Sequence, residues 1–227
     1  MELVNTVQMK KHFLVCLILL MLGGCVFGQS GKSFVFVFLH TRSDKAELPK
    51  EEVDKIMSGH MANINKMAKE GKLLAAGPFE GGGGIFIFNT TSVDKVTEWM
   101  KADPGIQANR WKLEKLLYTP RTGSVCAVKE PYEMTMYSFV RFLPNIAKFN
   151  VQMAPETFGK HDDYLKEIKK TGNVIEEGTF GDSEGGILIM KGKVQPEVIE
   201  NDPAVREGLL EIWVKELYVA KGSFCEK

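Results

Sequence analysis

The chain has 227 residues, room for one or two domains at roughly 100–200 residues each. With 44% hydrophobic and 26% charged residues, the composition is that of an ordinary globular protein and excludes a disordered or collagen-like chain. Basic and acidic residues balance at 29 each, which argues against nucleic acid as a partner because phosphate-binding surfaces leave a basic excess.

From the amino terminus, Lys10, Lys11 and His12 precede an apolar run from Phe13 to Leu22, followed by Gly23, Gly24, Cys25, Val26, Phe27 and Gly28. A charged start, a short apolar stretch and small residues predict a secretory signal peptide over 1–28. The run spans about 15 Å as a helix, half a bilayer core. No transmembrane helix is therefore expected in the mature chain, and the protein is expected to be exported, periplasmic or secreted. Cleavage before Gln29 fits. Lipid anchoring through Cys25 also fits, because Leu22-Gly23-Gly24-Cys25 resembles a bacterial lipobox.

Phe34 to Leu39 is apolar at every position and rich in β-formers, which predicts a strand buried on both faces. Glu51 to Glu70 places apolar residues or His at 53, 56, 57, 60, 61, 64, 67 and 68, one stripe of a helix stopped by Gly71. Lys72–Ala76 and Ile85–Phe88 read as strands around the turn Gly81–Gly84. Ser92–Ala102 reads as a helix capped by Ser92 and ended by Asp103-Pro104, and Leu113–Tyr118 as a closing strand. The second half reads alike. It has a strand at 135–142, a helix near 156–170, strands near Val174 and Ile187, a helix near 196–200 and a strand near 210–219.

Four landmarks recur in the same order. Ser-Gly-His at 58–60 matches Gly-Lys-His at 159–161, and Ala-Gly-Pro-Phe at 76–79 matches Glu-Gly-Thr-Phe at 177–180, both at an offset of 101. Asp103-Pro104 matches Asp202-Pro203, and Gly-Ser-Val-Cys at 123–126 matches Gly-Ser-Phe-Cys at 222–225, both at an offset of 99. This predicts a tandem duplication, with a first domain at 29–122, a linker at 123–133 and a second domain at 134–227. Each unit has the order βαββαβ, the ferredoxin-like arrangement. One such unit leaves a sheet face bare, so the fold class expected is α+β: two tandem ferredoxin-like units joined as an intramolecular α+β barrel, a monomeric pseudo-dimer.

His60, Ala76-Gly77-Pro78, Gly83-Gly84 and Asp103-Pro104 together resemble the YCII-related family of the dimeric α+β barrel superfamily. The second half departs at Glu177-Gly178-Thr179 but keeps His161 and Asp202-Pro203. The resemblance implies a cleft holding a His and an Asp, and an enzymatic role left mostly undefined. It also implies small ring-shaped or lactone-like substrates, handled by proton transfer or halide elimination.

His60 and His161 lie on the apolar stripes of their helices, where a desolvated imidazole needs a partner for its N–H. Pairs His60–Asp103 and His161–Asp202 would fix the tautomer and leave the second nitrogen for acid–base catalysis; a buried structural hydrogen bond is the other reading. The offset of 101 pairs His40 with Arg141 at the ends of the first strands. They are substrate-binding candidates at a pocket mouth, or strand-end groups reaching solvent. Asp162 and Asp163 are expected to be solvated. No cofactor is implied: the Gly81–Gly84 run lacks a Lys-Ser/Thr ending and leads into a strand, and no nucleophile elbow is present. A metal site is not expected, with two ligands per half. Cys126 and Cys225 end up at equivalent positions. They can be bridged only near a two-fold axis, and unpaired thiols are the default expectation. Two functions follow: acid–base chemistry of lyase or isomerase type on a small organic molecule, or a non-catalytic periplasmic protein binding a small ligand.

Overall fold

The computed structural model describes residues 32–149, 151–181 and 185–226; the expected signal segment and Cys25 lie outside them. The elements of the first half are β1 (Phe34–Thr41), α1 (Lys50–Lys69), β2 (Leu73–Pro78), β3 (Gly84–Phe88), α2 (Val93–Met100), α3 (Pro104–Gln107) and β4 (Trp111–Thr122). The second half has β5 (Met134–Pro144), a 3-10 turn at Ile146–Lys148, α4 (Ala154–Lys169), β6 (Val174–Phe180), β7 (Gly186–Met190), α5 (Pro196–Glu200), α6 (Pro203–Arg206) and β8 (Leu210–Ala220). Each half is thus a ferredoxin-like βαββαβ unit, with one short extra helix before its last strand.

All eight strands join one antiparallel sheet in the order β2-β3-β1-β4-β6-β7-β5-β8. The halves meet where β4 pairs β6, Tyr118 against Phe180 and Pro120 against Gly178. The two edge strands meet at the opposite seam, where Phe79 bridges Leu217 and the Glu80 N–H donates to the Glu216 carbonyl at 2.9 Å. The sheet therefore curls into an α+β barrel.

Strand alternation explains the uninterrupted apolar runs. In β1, Phe34, Phe36 and Phe38 point into the barrel with Phe139, Ile187 and Leu217 of the second half. Val35, Val37 and Leu39 point outward under α1 and α2, against Met67, Val96 and Met100. The second half builds a matching outer layer from Val140, Leu188, Leu165 and Ile199. Both sheet faces are thus dry.

Register gives the correspondence between halves. Val37 faces Phe86 in the first half, and Val140 faces Leu188 in the second. Val37 also faces Lys115, and Val140 faces Val214. The first strands therefore correspond at an offset of 103, not 101. His40 and Arg141 are not equivalent positions: Arg141 occupies the place of Phe38.

Two further expectations are corrected. Asp103 does not end the second helix but caps a third, with its carboxylate accepting from the N–H groups of Gly105 and Ile106; Asp202 does the same for α6 through Ala204. Cys126 and Cys225 are not unpaired thiols. They form a disulfide with Cα atoms 5.2 Å apart. The segments that follow β4 and β8 cross at one end of the barrel, where Val125 and Phe224 are buried in its core and the Cys126 N–H donates to the Ser223 carbonyl. This crossing brings the two sulfurs into reach.

Candidate functional site

His60 and Asp103 meet between α1 and the cap of α3. Small residues make this possible: a Cβ on Gly59 would lie 2.8 Å from Pro104 Cγ, and one on Gly105 would collide with the Trp111 ring. His60 Nδ1 lies 2.9 Å from Asp103 Oδ2 and 3.0 Å from Oδ1. The same carboxylate accepts from Asn63 Nδ2 at 3.0 Å and from the N–H groups of Gly105 at 2.9 Å and Ile106 at 3.2 Å. Burial pushes this carboxyl up, but the hydrogen bond and charge of His60, with Asn63 and the Ile106 N–H, outweigh it and hold Asp103 below its ordinary value. An ionised carboxylate only accepts, so Nδ1 of His60 is the donor, and Nε2 is the ring nitrogen not engaged by Asp103. Packing against Trp111, with ring centroids 4.7 Å apart, and against Phe86 at 5.8 Å sets the ring plane.

The second pair is built alike. His161 Nδ1 lies 2.6 Å from Asp202 Oδ2, Asp202 caps α6 through Ala204 N–H at 2.9 Å, and the ring meets Phe142 edge-on at 5.0 Å. Tyr164 stands where the first half has Asn63, and its hydroxyl donates to the Val198 carbonyl instead.

Each histidine lines a cavity between helix and sheet. The first has a volume of about 750 Å³ and is walled by His60, Met57, Ile64, Phe86, Trp111 and the Gly81–Gly84 turn, among others. The second has about 440 Å³ and is walled by His161, Phe142, Phe158, Leu210, Arg121 and Glu177, among others. Successive positive φ at Gly81, Gly82 and Gly83 and a carbonyl of Leu39 only 2.5 Å from a Cβ on Gly83 make that turn a place for glycine.

His40 and Arg141 lie elsewhere. Both sit on the inner face of the barrel, and neither lines a helix-side cavity. The structure does bring them together, through a residue the sequence reading passed over. Glu114 Oε2 lies 2.7 Å from His40 Nε2, and Glu114 accepts from Arg141 Nη1 and Nη2 at 2.8 and 2.7 Å. The Arg141 guanidinium lies 4.1 Å from the Phe38 ring centroid. Arg141 and then His40 hold the Glu114 carboxyl down to about 2. A charge on a buried strand has thus found a partner rather than a pocket mouth.

A second charged group was also missed. Arg121 Nε and Nη2 donate to Glu177 Oε1 at 2.8 and 2.6 Å, and Lys169 Nζ lies 3.1 Å from Glu177 Oε2. Asp162, expected to be solvated, binds Arg121 at 2.8 Å. Asp163 does remain exposed, paired with Lys166. The signal available was the Glu176-Glu177 pair on a strand where the first half has Ala75-Ala76. Among the described residues, no group of three or more His, Cys, Asp or Glu could hold a metal ion, and no helix is long and apolar enough to cross a membrane.

Residues 34–116 match the YCII-related domain. No curated protein matches the chain. Solved structures that resemble it include a candidate monooxygenase from Lactobacillus acidophilus, at 12% identity and a TM-score of 0.41, covering 83% of this chain and 94% of that one. Another from Fusobacterium nucleatum has 11% identity and a TM-score of 0.44, covering 84% and 94%. A point variant of chlorite dismutase from Candidatus Nitrospira defluvii has 11% identity and a TM-score of 0.48, covering 83% and 92%.

Proposed function

We propose that this chain is an exported tandem duplication of a YCII-related domain, monomeric as a pseudo-dimer, that performs acid–base chemistry on a small organic molecule. The observation that carries this reading is the His60–Asp103 pair at the wall of an apolar cavity of about 750 Å³. Asp103 holds the ring by Nδ1 and fixes the tautomer. Nε2 is the atom that takes a proton from a bound carbon or oxygen acid and returns it after rearrangement or loss of a leaving group. The aromatic walls exclude water and orient a ring-shaped ligand. His161 and Asp202 repeat the pair beside the smaller cavity.

A screen of small lactones, phenols and halogenated aromatics tests the reading. A substrate should be turned over by the wild type, and His60→Ala should reduce kcat/KM by about 10²–10⁴-fold, the usual worth of a positioned acid–base group. Asp103→Asn should lower it less. Turnover unchanged in His60→Ala would refute the assignment. The second reading, a non-catalytic binding protein, is favoured by the cap role of Asp103, which gives the carboxylate a structural reason to be there. Binding of these ligands with no turnover would select it.

A further inference from the structure

The two cavities differ through three positions related by register. Ala68, Ala76 and Ala220 line the first cavity. Ala76 faces Phe86 across β2 and β3, as Glu177 faces Leu188 across β6 and β7. The counterparts of the three alanines are Lys169, Glu177 and Arg121, and these form the ion-pair triad described above. The Glu177 carboxylate at the centre of the triad is 1% exposed, and Arg121 and Lys169 reach it from the surface with 37% and 27% of their side chains exposed. Arg121 and Glu177 thus line the second cavity where Ala220 and Ala76 line the first, Lys169 anchors Glu177 from behind, and the second cavity is smaller by about 310 Å³ (750 less 440).

Charge divides the cavities as well. Among the described residues no carboxylate lines the first, whereas Lys45 and Arg110 do. Arg110 Nη1 donates to the Ala46 carbonyl at 2.9 Å, and the Arg42 N–H donates to the Arg110 carbonyl at 3.3 Å. These two bonds hold the loop that carries Lys45 against the rim. Its ammonium makes no hydrogen bond or ion pair among the described residues. Among the described residues, the second cavity's lining cation Arg121 is met by the lining carboxylates Glu177 and Asp162.

We infer that the first cavity alone is the binding site, that its ligand is an aromatic anion with its charged group at Lys45 and its ring against Trp111 and Phe86, and that the second cavity is narrowed and its cation neutralised by the chain's own triad. The inference rests on the proposed small-molecule role but not on catalysis. An apolar wall with a few polar groups at its edge suits a planar body with one charged end. Edge-exposed cations steer and select such a ligand more than they tighten it.

The test uses the full chain and two fluorescent probes, the anion anilinonaphthalene sulfonate and the neutral phenylnaphthylamine, with calorimetry for stoichiometry. One sulfonate should bind per chain. Lys45→Met should weaken the sulfonate about three- to fivefold, the worth of one exposed ion pair, and leave the neutral probe unchanged. The transplant Ala68→Lys, Ala76→Glu, Ala220→Arg should abolish both. Replacing the whole triad (Arg121→Ala, Glu177→Ala and Lys169→Ala), which leaves only the half-exposed Asp162 without its partner, should raise the neutral probe from one site to two. Two sites in the wild type, or one site surviving the transplant, would overturn the assignment of the cavity. Equal loss of both probes in Lys45→Met would overturn the anionic ligand. The substrate screen separates this inference from the catalytic reading: if no substrate is ever turned over but the probes behave as stated, the binding site stands and the catalysis falls.

Discussion

Glu176 should make the protein lose stability as pH rises, against the trend of its other carboxylates. This side chain is completely buried on the inner face of the barrel. The Tyr118 hydroxyl donates to its Oε1 at 2.6 Å, while Oε2 has no partner and is covered by the Gly123 backbone. Burial, with some repulsion from Glu177 and Glu226, pushes the carboxyl up to about 8, and the Tyr118 hydrogen bond only partly opposes this. The unfolded chain releases the same proton near 4.5. Between those values the native state binds more protons than the unfolded one, so the contribution is complete below about pH 4.5 and is lost as pH rises toward 8. At about 1.4 kcal/mol per tenfold step, the gap corresponds to a loss on the order of 5 kcal/mol. Gln keeps the shape and the Tyr118 bond but cannot ionise. Urea unfolding of wild type and Glu176→Gln, without reductant and followed by Trp fluorescence from pH 5 to 9, isolates this group from Glu114 and Asp103, which pull the other way. The two should be close in stability near pH 5, and the variant should lead by several kcal/mol above pH 8. Parallel curves across the range would refute a proton on Glu176 in the native state.

Two further outcomes follow from covalent and steric features. The disulfide closes a stretch of 99 residues, so the double variant Cys126→Ser, Cys225→Ser should lose about 4 kcal/mol in urea unfolding; an unchanged midpoint would mean that the barrel seams alone hold these segments. At the seam where the edge strands meet, a Cβ on Gly77 would collide with the Tyr218 carbonyl oxygen, whereas one on Gly159, exposed in α4, meets nothing. Gly77→Ala should therefore cost about 1–3 kcal/mol and Gly159→Ala should add about 0.5–1 kcal/mol, and equal shifts in thermal midpoint would contradict the close approach of β2 to β8.

The parts of this fold legible in the sequence are those where one residue type serves one environment along a whole element. FVFVFL is apolar throughout because even positions face the barrel core and odd positions face α1 and α2. The histidines show on their helices because they interrupt an apolar stripe. What stayed hidden depends on pairs of elements rather than on single ones. The 4-residue helices α3 and α6 are too short to show periodicity, so the cap role of Asp103 could not be separated from a role beside His60. The disulfide depends on the crossing at the barrel end, which only the assembled sheet reveals. Matching His40 with Arg141 failed for a related reason: the first strands are displaced by two residues relative to the helices, and register, not spacing along the chain, decides which residues are counterparts.

The departures between the halves are where the chemistry of the site becomes specific. Packing constraints alone would be met by apolar residues of similar volume at matching positions of the two halves. Here Ala68, Ala76 and Ala220 stand against Lys169, Glu177 and Arg121, a change of both volume and charge at one place in the fold. Burying an ion pair gains little stability over apolar filling, and breaking one by a single substitution is costly. Once assembled, the triad is therefore hard to remove stepwise, and it leaves His161 beside a narrowed cavity while His60 keeps an open one. In both halves the Asp of the His–Asp pair also caps a helix, a task independent of any ligand. The presence of His161–Asp202 is thus no argument for a second site, and the wider space beside His60 is the feature that distinguishes the first cavity.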